Sequence, residues 1–344
     1  MPVPVFRPFI KRKDMDAVLT SLVSDSVNTG AETEAFVNEL LEIIDFEAGI
    51  GFREFPRGIQ TAIRALDLPL ESRIGISVLA PVMYEQAIRE TGNVPVLIDC
   101  YTNNPCIDPN KLQELHAQQP LQAVVIHTLL GFFPEMTAIS ALHVPVVIDA
   151  TESFTGINNE LIQSADILLI GLEANGILTA AGGVLVFGKS KAMGNLLGKV
   201  IERYPREVFL QDMNAALGRA QLRQLEYFMQ RRSEISEILT RSAMRGRHHL
   251  LAQVGENPGV PYSFPLLIQS SVTDVQTFAR KKNIEVIMAF AYSIIHNSEG
   301  REDFEPRAFP NAYGFLLRCV LFPLYPGMSL KELELIEKVI ASLP

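Results

Sequence analysis

The sequence is short of positive charge: its 344 residues carry 30 Lys and Arg against 39 Asp and Glu, a formal net charge of −9. The cations are scattered, with Lys11-Arg12-Lys13 the densest run, so the basic footprint that a nucleic-acid partner requires is missing. Long apolar runs are missing too. The most apolar stretch, 165–188, is broken by Asp166, Glu173, Asn175 and several glycines. The start, MPVPVFRPFIKRKD, lacks the charged, apolar, small-residue order of a secretory leader. A cytoplasmic chain with no membrane span is expected. Cysteine is scarce: Cys100, Cys106 and Cys319 cannot all pair and have no zinc-ligand spacing, so reduced buried thiols and no metal site are expected. The sequence holds no internal repeat and no low-complexity tract.

What is present is patterned. Apolar residues make up 48% and charged residues 20%, the balance of an ordinary globular chain, and the length favours two domains or one large domain with an appendage. From 73 to 188 short apolar runs recur, each bounded by turn residues: RIGISVLAP, VPVLIDC, AVVIHTLLG, VPVVIDA, ADILLIGL and GGVLVFG. Continuous rather than alternating apolarity predicts strands covered on both faces, hence a mostly parallel sheet. Helices are expected between them at 82–91 and at 110–117, the latter entered through DPNKLQEL. Strand alternating with helix makes the fold class α/β.

After residue 205 the segment MNAALGRAQLRQLEYFMQRRSEISEILTRSAM is rich in good helix formers and reads as one connecting helix. The tail offers PYSFPLLIQ as a strand and VTDVQTFARKKN as a helix with a Thr273–Gln276 capping box. A closing helix follows from Ser329, with Glu332 as its box partner. The expected division is a large α/β domain over 1–240, connecting helix included, and a small C-terminal α/β domain over 241–344. Residues 297–307, with Gly300 and four acidic residues, read as an exposed loop.

The order of landmarks carries a resemblance. NTGAETEAFVNELLE, GNVPVLIDC, VVIHTLLGFFPEMTAI, VPVVIDATESFTG, DMNAALGRAQLRQLEYFMQRR and LFPLYPGMSLKELELIEKVI follow one another collinearly over 28–340. Together they resemble the sugar-nucleotide aminotransferases of the DegT/StrS type. The resemblance implies the fold of type I pyridoxal-phosphate (PLP) enzymes: a large domain with a mostly parallel sheet, a small C-terminal α/β domain, and active sites at a homodimer interface. It places Asp149 on the carboxylate that pairs with the pyridine nitrogen of the cofactor, and His127 on the histidine of a V-H-x-x-G segment.

Several positions depart from the pattern. The family's Schiff-base lysine lies seven residues before a Gly-Gly pair, which here is Gly182-Gly183, so its position is held by Asn175. An amide forms no imine and shuttles no proton from Cα. The phosphate-binding serine corresponds to Ile170, and the remaining phosphate cup falls at Glu54-Phe55-Pro56 or, in a register with Gly58 on its glycine, has Ile59 for its threonine; Arg57 is the one compensating charge. The glutamine that faces the cofactor's phenolic oxygen is Glu152. The other lysines stand in helical or polar contexts, with Lys189 and Lys191 just after the GGVLVFG strand.

The expectation is therefore an aminotransferase-like protein that does not transaminate and holds no cofactor. One alternative is PLP or its amine form, pyridoxamine phosphate (PMP), bound non-covalently, with His127 or Glu152 as acid or base. Another is a partner subunit that completes the site of an active paralogue. A homodimer is the expected assembly, and a sugar nucleotide is the ligand that the resemblance implies.

Overall fold

The computed structural model describes residues 2–23, 28–156, 159–252, 259–298, 300–301 and 304–344. Seven strands build the main sheet: β1 (Ala48–Phe52), β2 (Arg73–Ser77), β3 (Val94–Ile98), β4 (Ala123–His127), β5 (Val146–Asp149), β6 (Ile167–Gly171) and β7 (Val184–Gly188). Their order is β1-β7-β6-β5-β4-β2-β3. The five strands from β2 to β6 pair in parallel, while β7 and the edge strand β1 run antiparallel.

Side-chain parity explains the continuous apolar runs. Ala123, Val125, Val147, Ile167, Leu169, Val184 and Val186 enter one core cluster, which also holds Ile59, Ala62 and Ile63 of the helix Phe55–Ala65. Their neighbours Val124, Ile126, Val146, Ile148, Leu168, Ile170, Leu185 and Phe187 enter a second cluster on the opposite face, against Phe36, Leu40 and Ile44 of the helix Ala31–Ile44. Both faces exclude water, so these strands are apolar up to the His127 and Asp149 that end β4 and β5.

The antiparallel second sheet has the order β8-β10-β9, with β8 (Phe264–Leu267), β9 (Ile287–Met288) and β10 (Cys319–Phe322). Its cluster takes Ile235 and Leu239 from the helix Leu225–Ala243 and Ile336 and Val339 from the helix Leu330–Ala341.

Three local expectations are corrected. The connecting segment is two helices, Asp212–Leu222 and Leu225–Ala243, with Gln224 at φ −110° and ψ 2° between them. Gln221 and Gln224, beside the break, both donate to Asp14, a fully buried carboxylate, at 2.9 and 2.7 Å. That satisfies a charge which would otherwise be costly inside the fold. The helix Val272–Lys281 is capped by Ser271, whose hydroxyl accepts from Asp274 N, and Gln276 instead donates its amide to Val286 O. The AVVIHTLLG run stops being a strand at His127, and Leu129–Gly131 forms a 3₁₀ turn. The Ser329–Glu332 capping box is present in both directions.

The turn after β4 positions the site. Gly131 has φ +84°, and a Cβ there would lie 2.0 Å from Val260 O. Val260 N donates to Gly131 O at 2.8 Å, which holds the segment leading to Tyr262 against the ends of β4 and β5. Cys100, Cys106 and Cys319 are buried and free. No described helix is long and apolar enough to cross a membrane. Within the 297–307 stretch, residues 299, 302 and 303 lie outside the described residues.

Candidate functional site

The chain runs from β2 outward to β3 and then returns to place β4 on the other side of β2. At such a switch point the connections leave in opposite directions, and the crevice beyond the C-terminal strand ends is where α/β sheets receive ligands. His127 ends β4 and Asp149 ends β5, facing each other in parallel register. By parity both point to the face covered by the helix Phe55–Ala65. Tyr84 arrives from the helix Val82–Glu90, which follows β2.

These side chains form a buried cluster around Asp149, which is 0% exposed. Its Oδ1 accepts from Thr151 N at 2.9 Å and from the Thr151 hydroxyl. The hydroxyl accepts in turn from Gly171 N at 2.7 Å, which ties the loop after β5 to β6. Its Oδ2 accepts from the Tyr84 hydroxyl and lies 2.8 Å from His127 Nδ1. The imidazole is in ion-pair contact there, without the alignment of a directed hydrogen bond. The Tyr84 and His127 rings meet edge to face, centroids 5.6 Å apart.

Electrostatics follow from burial and pairing. Burial alone would lower the affinity of His127 for its proton, but the Asp149 carboxylate and then Glu152 push its pKa up to about 10. Burial would raise the Asp149 carboxyl, yet the imidazolium, Thr151 and Tyr84 hold it below its ordinary value. The Tyr84 phenol is pushed well up by burial and by the Asp149 charge, so it stays a neutral donor.

Outside this cluster lies a cleft of about 530 Å³, with apolar walls from Phe55, Pro56, Pro81, Met83, Tyr84 and Tyr262. His127, Glu152 and Asn175 also border an adjoining lobe of about 280 Å³, whose far side includes Met288 of β9 and Leu321 of β10. Glu152 Oε2 accepts from Leu130 N, while Oε1 stands 3.8 Å from His127 Nε2. Asn175 donates its amide to the Tyr262 hydroxyl at 3.2 Å. Glu173 and Arg53 complete the polar rim.

The sequence-derived residues separate into two groups. Asn175, His127, Glu152 and Asp149 come together on one cleft, although they arise from three separate segments. Ile170 and Arg57 do not join them. Ile170 points to the opposite face of the sheet, into the second core cluster. Arg57 turns away, its guanidinium 5.4 Å from the Tyr204 ring centroid and its Nη1 3.3 Å from Gln60 Oε1.

The backbone that faces the cleft at the end of β6 belongs to Gly171, and a Cβ there would meet Phe55 Cε2 at 2.6 Å. A phosphate at this helix N-terminus would find an aromatic edge, Pro56 without an N–H, and Glu54. No lysine lines the cleft or its lobe among the described residues. Lys111 is paired with Asp99, and Lys189 donates to Gln163 O.

Tyr84, Thr151 and Tyr262 were missed by sequence reasoning, and Phe55 was named only as part of the altered phosphate cup. Thr151 had a signal, since an Asp at a strand end followed two residues later by a hydroxyl is an Asx-type turn. Tyr84 had a weaker one, a phenol at a helix start just past a strand in the same crevice. Tyr262 had none, because its contact with Asn175 spans 87 residues.

The sequence pattern of the DegT/DnrJ/EryC1/StrS aminotransferase family matches residues 8–160 and 185–343. The unmatched interval, 161–184, contains Ile170 and Asn175. Among individual proteins, the spore coat polysaccharide biosynthesis protein SpsC of Bacillus subtilis is 24% identical, over 95% of this chain and 93% of its own length. Among solved structures, the PLP form of a Streptococcus pneumoniae protein named as a sugar aminotransferase superposes with a TM-score of 0.90 at 16% identity. It covers 100% of this chain and 98% of that one, and its PMP form gives the same score. PseC of Helicobacter pylori, an aminotransferase of pseudoaminic acid biosynthesis, gives 0.85 at 14% identity, covering 99% and 98%. The fold is thus that of the PLP-dependent aminotransferases.

Proposed function

The chain belongs to the DegT/DnrJ/EryC1/StrS aminotransferase family, and from that premise we propose that it serves sugar or polysaccharide biosynthesis without forming the cofactor imine on which transamination depends. The observation that carries this is the amide of Asn175 in the cleft, hydrogen-bonded to Tyr262, with no lysine on any wall among the described residues. An imine requires a nucleophilic amine within reach of the aldehyde, and an amide nitrogen has no free pair to supply.

The other contacts that PLP would use are also altered. The Asp149 oxygens already accept from Tyr84 and Thr151, and the helix start that would meet the phosphate offers Glu54, Phe55 and Pro56. The residues present do not fit the covalently bound cofactor. The working assembly in this reading is a cytoplasmic homodimer, tested by light scattering, which should return twice the chain mass.

Retention of the His127–Asp149 pair favours a second reading, in which PLP or PMP is held without a covalent bond in an enzyme acting on a sugar nucleotide. Pairing with an active paralogue is the third, and co-purification from the native host tests it. The first reading is tested by adding PLP and recording the absorbance spectrum. The expected result is no red-shifted, borohydride-sensitive band. Such a band at one equivalent per chain overturns the reading. Calorimetry that detects PMP binding without a band favours the second.

A further inference from the structure

We propose that the His127–Glu152 pair is a cofactor-independent proton-transfer site for an α-hydroxycarbonyl compound, such as an open-chain aldose or ketose. This rests on the reading that no cofactor stands over Asp149. His127 carries the argument first. The His127 side chain is 7% exposed, with Nδ1 2.8 Å from Asp149 Oδ2 and Nε2 at the cleft, 3.8 Å from Glu152 Oε1. A ring nitrogen held at a cleft, with a buried carboxylate beside the other nitrogen, is placed to exchange a proton with a ligand.

Glu152 is arranged to match. Leu130 N fixes its Oε2, so Oε1 is the free acceptor, and it stands 3.8 Å from His127 Nε2. That separation is too long for a direct hydrogen bond, yet one oxygen placed between the two lies within about 2.8 Å of each. Such an oxygen accepts from the imidazolium and donates to the carboxylate, which a hydroxyl can do and a phosphate dianion or an ammonium cannot. The apolar rings of Tyr84 and Tyr262 flank this point.

With the carbonyl oxygen beside Nε2 and the hydroxyl-bearing carbon beside Oε1, the same two groups can enolise the ligand. Glu152 Oε1 removes the proton from the carbon that bears the hydroxyl, and the C–H electron pair becomes the C=C bond of an enediol. The carbonyl π pair moves to its oxygen, which takes the proton from His127 Nε2. Asp149 stabilises the imidazolium and keeps the ring in place. In the return step, the neutral imidazole removes the proton from the second hydroxyl and Glu152 gives its proton to the former carbonyl carbon. The carbonyl has then moved by one carbon. Both residues are restored, and no oxidant, reductant or metal enters.

The test is proton exchange in D₂O, followed by the loss of the α C–H signal of dihydroxyacetone and of D-fructose in ¹H NMR, with no vitamer added. Exchange above the buffer rate is expected for at least one probe. Glu152→Gln, which keeps the acceptor for Leu130 N, should slow it by about a hundredfold or more, and His127→Gln comparably. Thermal melts identify a variant that has lost its fold. Wild-type exchange at the buffer rate overturns the proposal, as does a folded Glu152→Gln that exchanges as fast as wild type. Either failure leaves the reading of a lost imine standing, because that reading is judged on the PLP spectrum alone.

Discussion

At Asp149 one buried carboxylate collects a phenol, a hydroxyl, a backbone amide and an imidazolium. Hydrogen bonds to a buried charge contribute more than neutral ones, about 1.5–3 kcal/mol each. Tyr84→Phe removes one donor and leaves the others in place. It should lower unfolding stability by about 2 kcal/mol in urea denaturation, and an unchanged midpoint would mean that the phenol contributes nothing there.

The imidazolium makes stability depend on pH. His127 has a folded pKa of about 10 against an ordinary value of 6.5, so the folded state binds the extra proton between them. Its contribution is fully present below about pH 6.5 and is lost as pH rises towards 10. Burial of the Tyr84 phenol adds to the loss above about pH 10. Urea denaturation at about pH 7 and about pH 10 should give a lower stability at the higher pH, and His127→Gln should flatten that slope.

Among the elements, the turn after β4 is the least replaceable connection to the site. Gly131→Ala would combine a left-handed φ with a carbonyl oxygen 2.0 Å from the new Cβ. Because the obstacle is the backbone of Val260, no side-chain rotation relieves it. A loss of about 3 kcal/mol is expected in denaturant unfolding, with loss of the Tyr262 wall. By contrast, Ser329→Ala removes a cap on an exposed helix end and should cost about 1 kcal/mol, leaving the cleft unchanged.

The strands that matter most were legible in sequence because both their faces are buried, and β2, β4, β5, β6 and β7 each fall within a predicted run. The break between Leu222 and Leu225 was not legible: Gln221 and Gln224 are good helix formers, and both donate to a buried Asp14, 207 residues from Gln221 in sequence. Local signals report propensity and hold no trace of so distant a partner. The edge strand β1 escaped notice for a related reason, since AGIGF is short and glycine-rich and gains its place only by pairing with β7.

For the molecule as a whole, the family's framework is kept, and in the proposed reading the chemistry of its cleft is changed. Four of the six residues singled out from sequence share that cleft, because strand ends and helix starts in an α/β sheet converge on one edge. Ile170 and Arg57 were assigned by counting from family landmarks. Counting does not decide which face of a strand or helix a side chain takes, and a one-residue step in β6 moves the cleft position from Ile170 to Gly171.

The central claim is the loss of the imine, and the most direct measurement is intact-protein mass after incubation with PLP and reduction by borohydride. The account predicts no saturable adduct at one per chain, only sparse labelling that scales with PLP concentration. A stoichiometric adduct that maps by peptide digestion to a single lysine would contradict it.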